Sequence, residues 1–468
     1  MGQLRIRAIR LRTVTSRKKR YTLKPRIVLI GAGSATFGLR TLGTIFQSEV
    51  LQGSTVVLHD IDPEAMARVE RVARTYLDTH DLPYTLQATT SRPEALEEAS
   101  FCVIAIEVGD RFELWEQDWK IPLQYGFRQV FGENGGPGGL FHSLRIIPPI
   151  LEICGDIVER CPEALVINLS NPMSRVCLAM KRAYPDLQVA GLCHEVGSLP
   201  LHLPRILDTP LSNLSFTAGG LNHFSVLLDV RYKDSGADAY PDVRRRAPVY
   251  FENLPPLTQT LREGFSGELP ATPASRPWSD RRLFKVVLER FDYLPITEDS
   301  HFGEYIHWAY DVVDHKGILD FYAWYKAWSS ERVETPRLEA MLDEEYWGTV
   351  PIMEAVVTDS EREEMAVNLL NEGLIDNLPH DLVVEVPAVV DGDGVHGVKL
   401  GALPKGVAGL MRNQATVQDL TVEAALTGSR KIALQALLAD PVVDSVEPAE
   451  ELLDTMLELQ QPYLSYIS

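Results

Sequence analysis

The run Arg26-Ile27-Val28-Leu29-Ile30-Gly31-Ala32-Gly33-Ser34 constrains this chain more than any other stretch. Five residues rich in aliphatic and β-branched side chains suit a short buried strand, and the glycines after them allow a turn too tight for a side chain. Helical spacing follows through Leu42 to Phe46, and a second apolar run, Thr55-Val56-Val57-Leu58-His59, ends on Asp60. Strand, glycine turn, helix, strand and acid, in that order, form a dinucleotide-binding arrangement. The helix N-terminus takes the pyrophosphate and the carboxylate takes the ribose hydroxyls. Gly31, Gly33, Ser34 and Asp60 are therefore candidate cofactor-binding residues. Thr36 stands where a third glycine is usual, and Asp60 lies farther along than the common spacing of about 20 residues, which calls only for a longer helix. A carboxylate at position 60 repels a 2′-phosphate, so NAD is expected rather than NADP.

Ala99 to Ile106 and Ala164 to Leu169 read as further buried strands, with a helix from Ile146 to Glu159 between them. Strands alternating with helices imply a parallel sheet. After about residue 195 the texture changes to proline-rich loops and aromatic-rich helical segments such as Tyr305 to Trp328. Val383 to Val390 then reads as a strand, and Gln418 to Leu438 as a helix interrupted near Thr427-Gly428. The expected class is α/β: a Rossmann-type NAD-binding domain over residues 26–195, followed by a mixed α+β C-terminal domain over 196–468 that supplies substrate, metal and oligomer contacts. Residues 1–25 are strongly basic but lack the apolar core of a secretory signal, and read as a poorly ordered extension.

The composition narrows the partners. A net charge of -20 repels nucleic acid and anionic membranes, so neither is expected. No stretch approaches the roughly 20 apolar residues of a membrane span. The five cysteines are odd in number and lack CxxC spacing, which fits a reducing compartment, and a cytoplasmic location is expected.

Two apolar runs end on groups able to hold a metal: Val189-Ala190-Gly191-Leu192-Cys193-His194 and Phe216-Thr217-Ala218-Gly219-Gly220-Leu221-Asn222-His223. Cys193 and His223 can project from strand ends into one crevice. Two protein ligands are too few for structural zinc, but they leave positions open for substrate oxygens and water on a catalytic ion such as Mn²⁺. The competing reading is a buried thiol and a satisfied core imidazole.

Taken together, several stretches resemble glycoside hydrolase family 4, the NAD- and divalent-metal-dependent glycosidases, in their α-galactosidase and α-galacturonidase-like branch. They are Ile30 to Ser34, Gly132 to Arg145, Asn168-Leu169-Ser170-Asn171-Pro172, Gly191 to His194, Gly220 to His223 and Leu420 to Gly428, and the likeness spans about residues 26 to 440. The resemblance implies hydrolysis by a redox route: oxidation of the sugar at C3, deprotonation at C2, elimination of the glycosidic oxygen, addition of water and re-reduction. Cys193 and His223 would hold Mn²⁺ or another divalent ion. Asn171 matches an asparagine that contacts substrate hydroxyls. His194 occupies a position where some members carry a general acid. Glu133 stands where aspartate is usual, in a glycine-rich loop with Asn134 that leads to Arg145, an anchor for substrate or for Glu133. The C2 base falls within Leu294 to Tyr305, with Glu298 first and Asp299 and Tyr305 as alternatives, although Glu298, Asp299 and Glu304 also read as a solvated loop face.

The expected substrate is an α-linked hexoside, α-galactoside first, then an α-galacturonide, α-glucuronide or sulfonated sugar. A plain NAD-dependent dehydrogenase and a non-catalytic NAD sensor are the competing functions. A homodimer or homotetramer is implied by the resemblance.

Overall fold

The computed structural model describes residues 21–33, 37–254, 281–334, 336 and 348–468. Its framework is one eleven-stranded sheet. Strands are numbered here in chain order. The first six, β1 (Arg26–Ile30), β2 (Thr55–His59), β3 (Thr85–Thr89), β4 (Phe101–Ile104), β5 (Leu165–Asn168) and β6 (Gln188–Gly191), are parallel and lie in the order β3-β2-β1-β4-β5-β6. That is the Rossmann order, with a reversal beside β1 that leaves a crevice at the carboxyl ends of the strands.

Side-chain alternation explains why the central strands are apolar throughout. Val28, Ile30, Cys102, Ile104 and Val166 face a core shared with the helix Gly136–Arg160. Ile27, Leu29, Phe101, Val103 and Ile167 face a second core containing residues of the helices Phe37–Gln47 and Pro63–His80. A sheet covered on both faces has no solvent side to leave polar.

The remaining strands extend the same sheet. Beyond β6 come β9 (Arg362–Leu370), β10 (Val383–Asp391) and the hairpin of β7 (Leu214–Leu221) and β8 (Phe224–Tyr232), all antiparallel, with β11 (Gly394–Gly397) paired to β10. The junction is the pair Gly191↔Asn368, two residues before Cys193. The division expected at 195/196 thus falls between strands of one sheet. The interruption expected near Thr427-Gly428 is present. The helix Lys405–Thr427 ends on Gly428 at φ +68°, and the helix Arg430–Ala439 begins two residues later.

Residues 1–20 lie outside the described residues, but Tyr21, expected within the loose extension, is buried. Its ring stacks on Phe101 at 5.3 Å and its hydroxyl donates to the Glu163 carbonyl at 3.2 Å, so the end of that segment is held by the sheet. Among the described residues no helix is long and apolar enough to cross a membrane.

Candidate active site

The glycine turn follows β1 directly. Gly31 sits at φ +85°, and a Cβ there would stand 2.3 Å from the Ala105 carbonyl oxygen, so both conformation and space require glycine. Asp60 closes the turn: one carboxylate oxygen accepts from Gly33 N at 2.8 Å and the other from Asp62 N at 2.9 Å. These contacts leave lone pairs on both oxygens for a ribose. Ser34 lies outside the described residues. On the far side of the crevice the Ser170 hydroxyl accepts from Ile106 N at 2.8 Å and donates to Ile106 O at 3.0 Å, tying the loops after β4 and β5. The carboxamide oxygen of the next residue, Asn171, is buried without a partner.

Cys193 and His223 meet. Cys193 Sγ lies 3.2 Å from His223 Nε2, both residues are buried, and His223 Nδ1 has no partner. His223 occupies the tip of the β7–β8 hairpin at φ +58°, a left-handed conformation that costs a non-glycine residue about 1 kcal/mol. Glu385 on β10 pins that tip. Its carboxylate accepts from Asn222 Nδ2 at 2.8 Å, Ser225 Oγ at 2.7 Å and Asn368 Nδ2 at 3.2 Å, and Asn368 in turn pairs with Gly191. One buried acid therefore joins the hairpin tip to the end of β6 that carries Cys193.

The donor set suits a divalent cation. Burial, reinforced by His301, drives the His223 pKa down to about 3, which leaves the neutral imidazole that a metal requires. Burial also pushes the Cys193 thiol well up, a penalty that a bound cation would reverse. Donor atoms of Cys193, His194 and Glu195 lie within 4.8 Å of one another, so Glu195, absent from the sequence reading, adds a carboxylate. Burial works against the Glu195 anion, but His194, His301 and Arg281 outweigh it and hold its pKa at about 2. The His194 side chain is half exposed, with Nε2 3.6 Å from Glu195.

The glycine-rich loop forms the opposite wall. Glu133 is buried and pairs with Arg111 at 2.9 Å, with His301 Nδ1 3.6 Å from its other oxygen. Both amide atoms of Asn134 are buried without partners. The expected pairing of Glu133 with Arg145 is corrected: Arg145 is buried against Asp118 at 2.5 and 2.9 Å and against Gln460 at 2.7 Å, and these contacts commit it to packing helices together. Arg111, whose guanidinium also lies over the Trp115 and Tyr325 rings, holds Glu133 instead.

The three base candidates separate cleanly. Both oxygens of Asp299 accept helix-terminal N–H groups, from Leu283 at 2.6 Å and Phe284 at 3.1 Å, so this residue caps the helix Arg282–Phe291. Glu298 faces Arg281 at 3.6 Å. Tyr305 is buried, its ring 5.0 Å from Phe224 beside His223, and burial and then Glu304 push its pKa well up. Glu304 is the residue that the sequence misled about most. It is fully buried, not on a solvated face, and accepts from the backbone N–H groups of Glu133, Asn134 and Gly135 at 2.7, 2.8 and 2.8 Å. Burial raises its pKa to about 7. Acids and glycines in two distant segments gave no signal of this clamp; only the fold brings them together.

A Rossmann-type sheet with a polar crevice at its carboxyl ends defines an α/β protein of the dinucleotide-binding class. The chain belongs to the family 4 glycosyl hydrolases: the model of the family matches residues 26–209 and that of its C-terminal domain residues 218–443. It is a glycoside hydrolase. The chain is 52% identical to an alpha-glucosidase of Erwinia rhapontici over 94% of this chain and 99% of that one. It is 30% identical to an alpha-galactosidase of Bacillus subtilis over 89% and 93%. A solved 6-phospho-alpha-glucosidase from gut microorganisms, in complex with NAD and Mn²⁺, shares the fold with a TM-score of 0.76 at 21% identity, covering 94% of this chain and 98% of that one.

Proposed function

We propose that this chain hydrolyses α-linked hexosides by the family's redox route, with an α-glucoside as substrate in place of the α-galactoside first expected. The observation that carries the reading is the 3.2 Å approach of Cys193 Sγ to His223 Nε2 at the carboxyl ends of the sheet that bears the glycine turn. The 52% identity to an alpha-glucosidase supports the choice of sugar.

Gly31, Gly33 and Asp60 would hold NAD and Cys193 and His223 would hold a divalent ion, which when bound would supply reversible oxidation at C3 and polarisation of the sugar oxygens. The chain's own groups do the rest. Tyr305 removes the C2 proton, provided that the charge of a bound divalent ion brings down the pKa that burial raises; of the three base candidates it is the one whose functional group is not committed to a cap or an ion pair. His194, at the mouth, delivers a proton to the departing oxygen. Asn171, whose buried amide oxygen has no partner among the described residues, and Asn134, both of whose buried amide atoms have none there, orient sugar hydroxyls, and Glu133 on its Arg111 anchor supplies a further acceptor. Burial of these groups keeps water from the deprotonated sugar until elimination is complete.

The test is a panel of p-nitrophenyl α- and β-glycosides and uronides with NAD⁺, Mn²⁺ and a thiol reductant. Release from the α-glucoside that requires both additions, without net NADH, is expected. Release that persists without NAD⁺ or with EDTA would overturn the redox route, and net NADH from free sugar would identify a dehydrogenase. Preference for the α-galactoside would overturn only the choice of sugar.

A further inference from the structure

Arg111 begins the helix Arg111–Gln124, and each nitrogen of its guanidinium has a partner. Nη1 donates to the Tyr325 hydroxyl at 2.8 Å, Nη2 donates to Glu133 Oε1 at 2.9 Å, and Nε faces a carboxylate oxygen of Glu107 at 3.4 Å. Anchoring Glu133 needs one carboxylate on the arginine. A second, from Glu107, leaves the guanidinium no charge to offer a third anion.

This cluster belongs to the wall of the site. Glu107, Arg111, Asp118, Glu133, His142 and Arg145 line one cavity, and Arg145 is spent there on Asp118. Both guanidiniums of that lining are thus matched by carboxylates. From Glu133 the way to the ion site is short: its second oxygen lies 3.6 Å from His301 Nδ1, and the His301 ring is 4.4 Å from that of His223. Glu133 is 4% exposed, so water and salt screen its charge little. A phosphate or carboxylate on the substrate would have to compete with Glu133 for Arg111. A sugar hydroxyl would not, because it donates to a carboxylate oxygen.

We propose that Glu133 is a specificity-determining residue: by occupying the edge of Arg111 on the side of His301 and His223, it reserves the site for hexosides that carry no anionic group. The proposal names the substrate class for the α-glucosidase reading and rests on that reading. A fixed carboxylate repels an incoming anion and leaves a neutral sugar unopposed, so its signature is the ratio between substrates. Removing the carboxylate leaves that edge of the guanidinium without its counter-charge, open to an anion from the substrate.

The experiment compares p-nitrophenyl α-glucoside, its 6-phosphate and the α-glucuronide as substrates of the enzyme with NAD⁺ and Mn²⁺. Wild type is expected to favour the neutral glucoside by at least about 100-fold in kcat/KM over either anion. Glu133→Gln, which keeps the shape, is expected to narrow that ratio by at least about 30-fold for one of them, and the one that gains tells phosphate from carboxylate. Glu133→Asp, which keeps the charge, is expected to stay within about threefold of the wild-type ratio, and the double variant Glu133→Gln/Arg111→Met to lose the gain. Dissociation constants of glucose, glucose 6-phosphate and glucuronate, read by quenching of intrinsic fluorescence, are expected to follow the same ratios, including in variants too slow to assay. The proposal is overturned if wild type favours an anionic substrate, if Glu133→Gln holds the ratio within about threefold of wild type, or if the gain survives the loss of Arg111. A wild-type enzyme inactive on all three substrates would instead overturn the proposed function, and the binding ratios would still decide the role of Glu133.

Discussion

At the scale of single residues, the chemistry depends on groups whose ordinary properties burial has altered. Cys193→Ser keeps the shape of the site but replaces a soft ligand with a poor one. It is expected to lose at least about 100-fold in Mn²⁺-dependent turnover while NAD⁺ binding persists, as a titration of each would check. Tyr305→Phe removes the proposed base and is expected to lower kcat by about 10²- to 10⁴-fold, with loss of solvent-deuterium exchange at the sugar's C2. Unimpaired exchange would return the role to Glu298. Glu304 has a thermodynamic signature of its own. Its folded pKa of about 7 lies above the ordinary carboxylate value, so the folded state holds its proton more tightly than the unfolded chain. The resulting stability is full below the unfolded pKa and is lost as pH rises toward 7, by roughly 3 kcal/mol in all. In metal-free protein, urea unfolding of wild type against Glu304→Gln from pH 4.5 to 7.5 should show that slope in the wild type and a flatter profile in the variant.

At the scale of elements, the hairpin tip is held by a single acid. Glu385→Ala leaves the donors of Asn222, Ser225 and Asn368 buried with fewer acceptors, a cost of roughly 3 kcal/mol. Because that tip carries His223, Mn²⁺ affinity is expected to fall with stability; calorimetric titration that found metal affinity intact would show the tip to be rigid without the acid. The elements that the sequence revealed are those with a local signal. The strands β1, β2, β4 and β5 are continuous apolar runs, the glycine turn is bounded by a strand and a helix, and Gly428 marks a helix end. Cys193 and His223 were legible because each follows such a run. Glu304 and Glu385 were not, since their partners lie in segments far along the chain; Glu195 adjoins Cys193 and His194, but nothing local to the sequence shows that it is buried beside them. Asp299 misled for the same reason: a carboxylate near a predicted site reads as chemistry until the helix end that it caps is seen.

At the scale of the whole molecule, a parallel sheet was implied by the alternation of strand and helix, but β3 and the way the sheet continues were not. Nothing in the sequence around Arg362 to Leu370 says that it will lie antiparallel beside β6. That junction has a consequence for how the protein could be divided or assembled. The proposed sulfur ligand comes from the parallel half and the proposed nitrogen ligand from the added half, and the seam between them is the pair Gly191↔Asn368, two residues before Cys193 and joined through Glu385 to the hairpin that bears His223. A fragment ending soon after β6 would own a nucleotide turn yet only part of an ion site, and the complementary fragment would own an imidazole with no thiol to face. Catalytic competence is thus a readout of complete folding: an enzyme whose halves have failed to zip together has no partial version of its chemistry to perform.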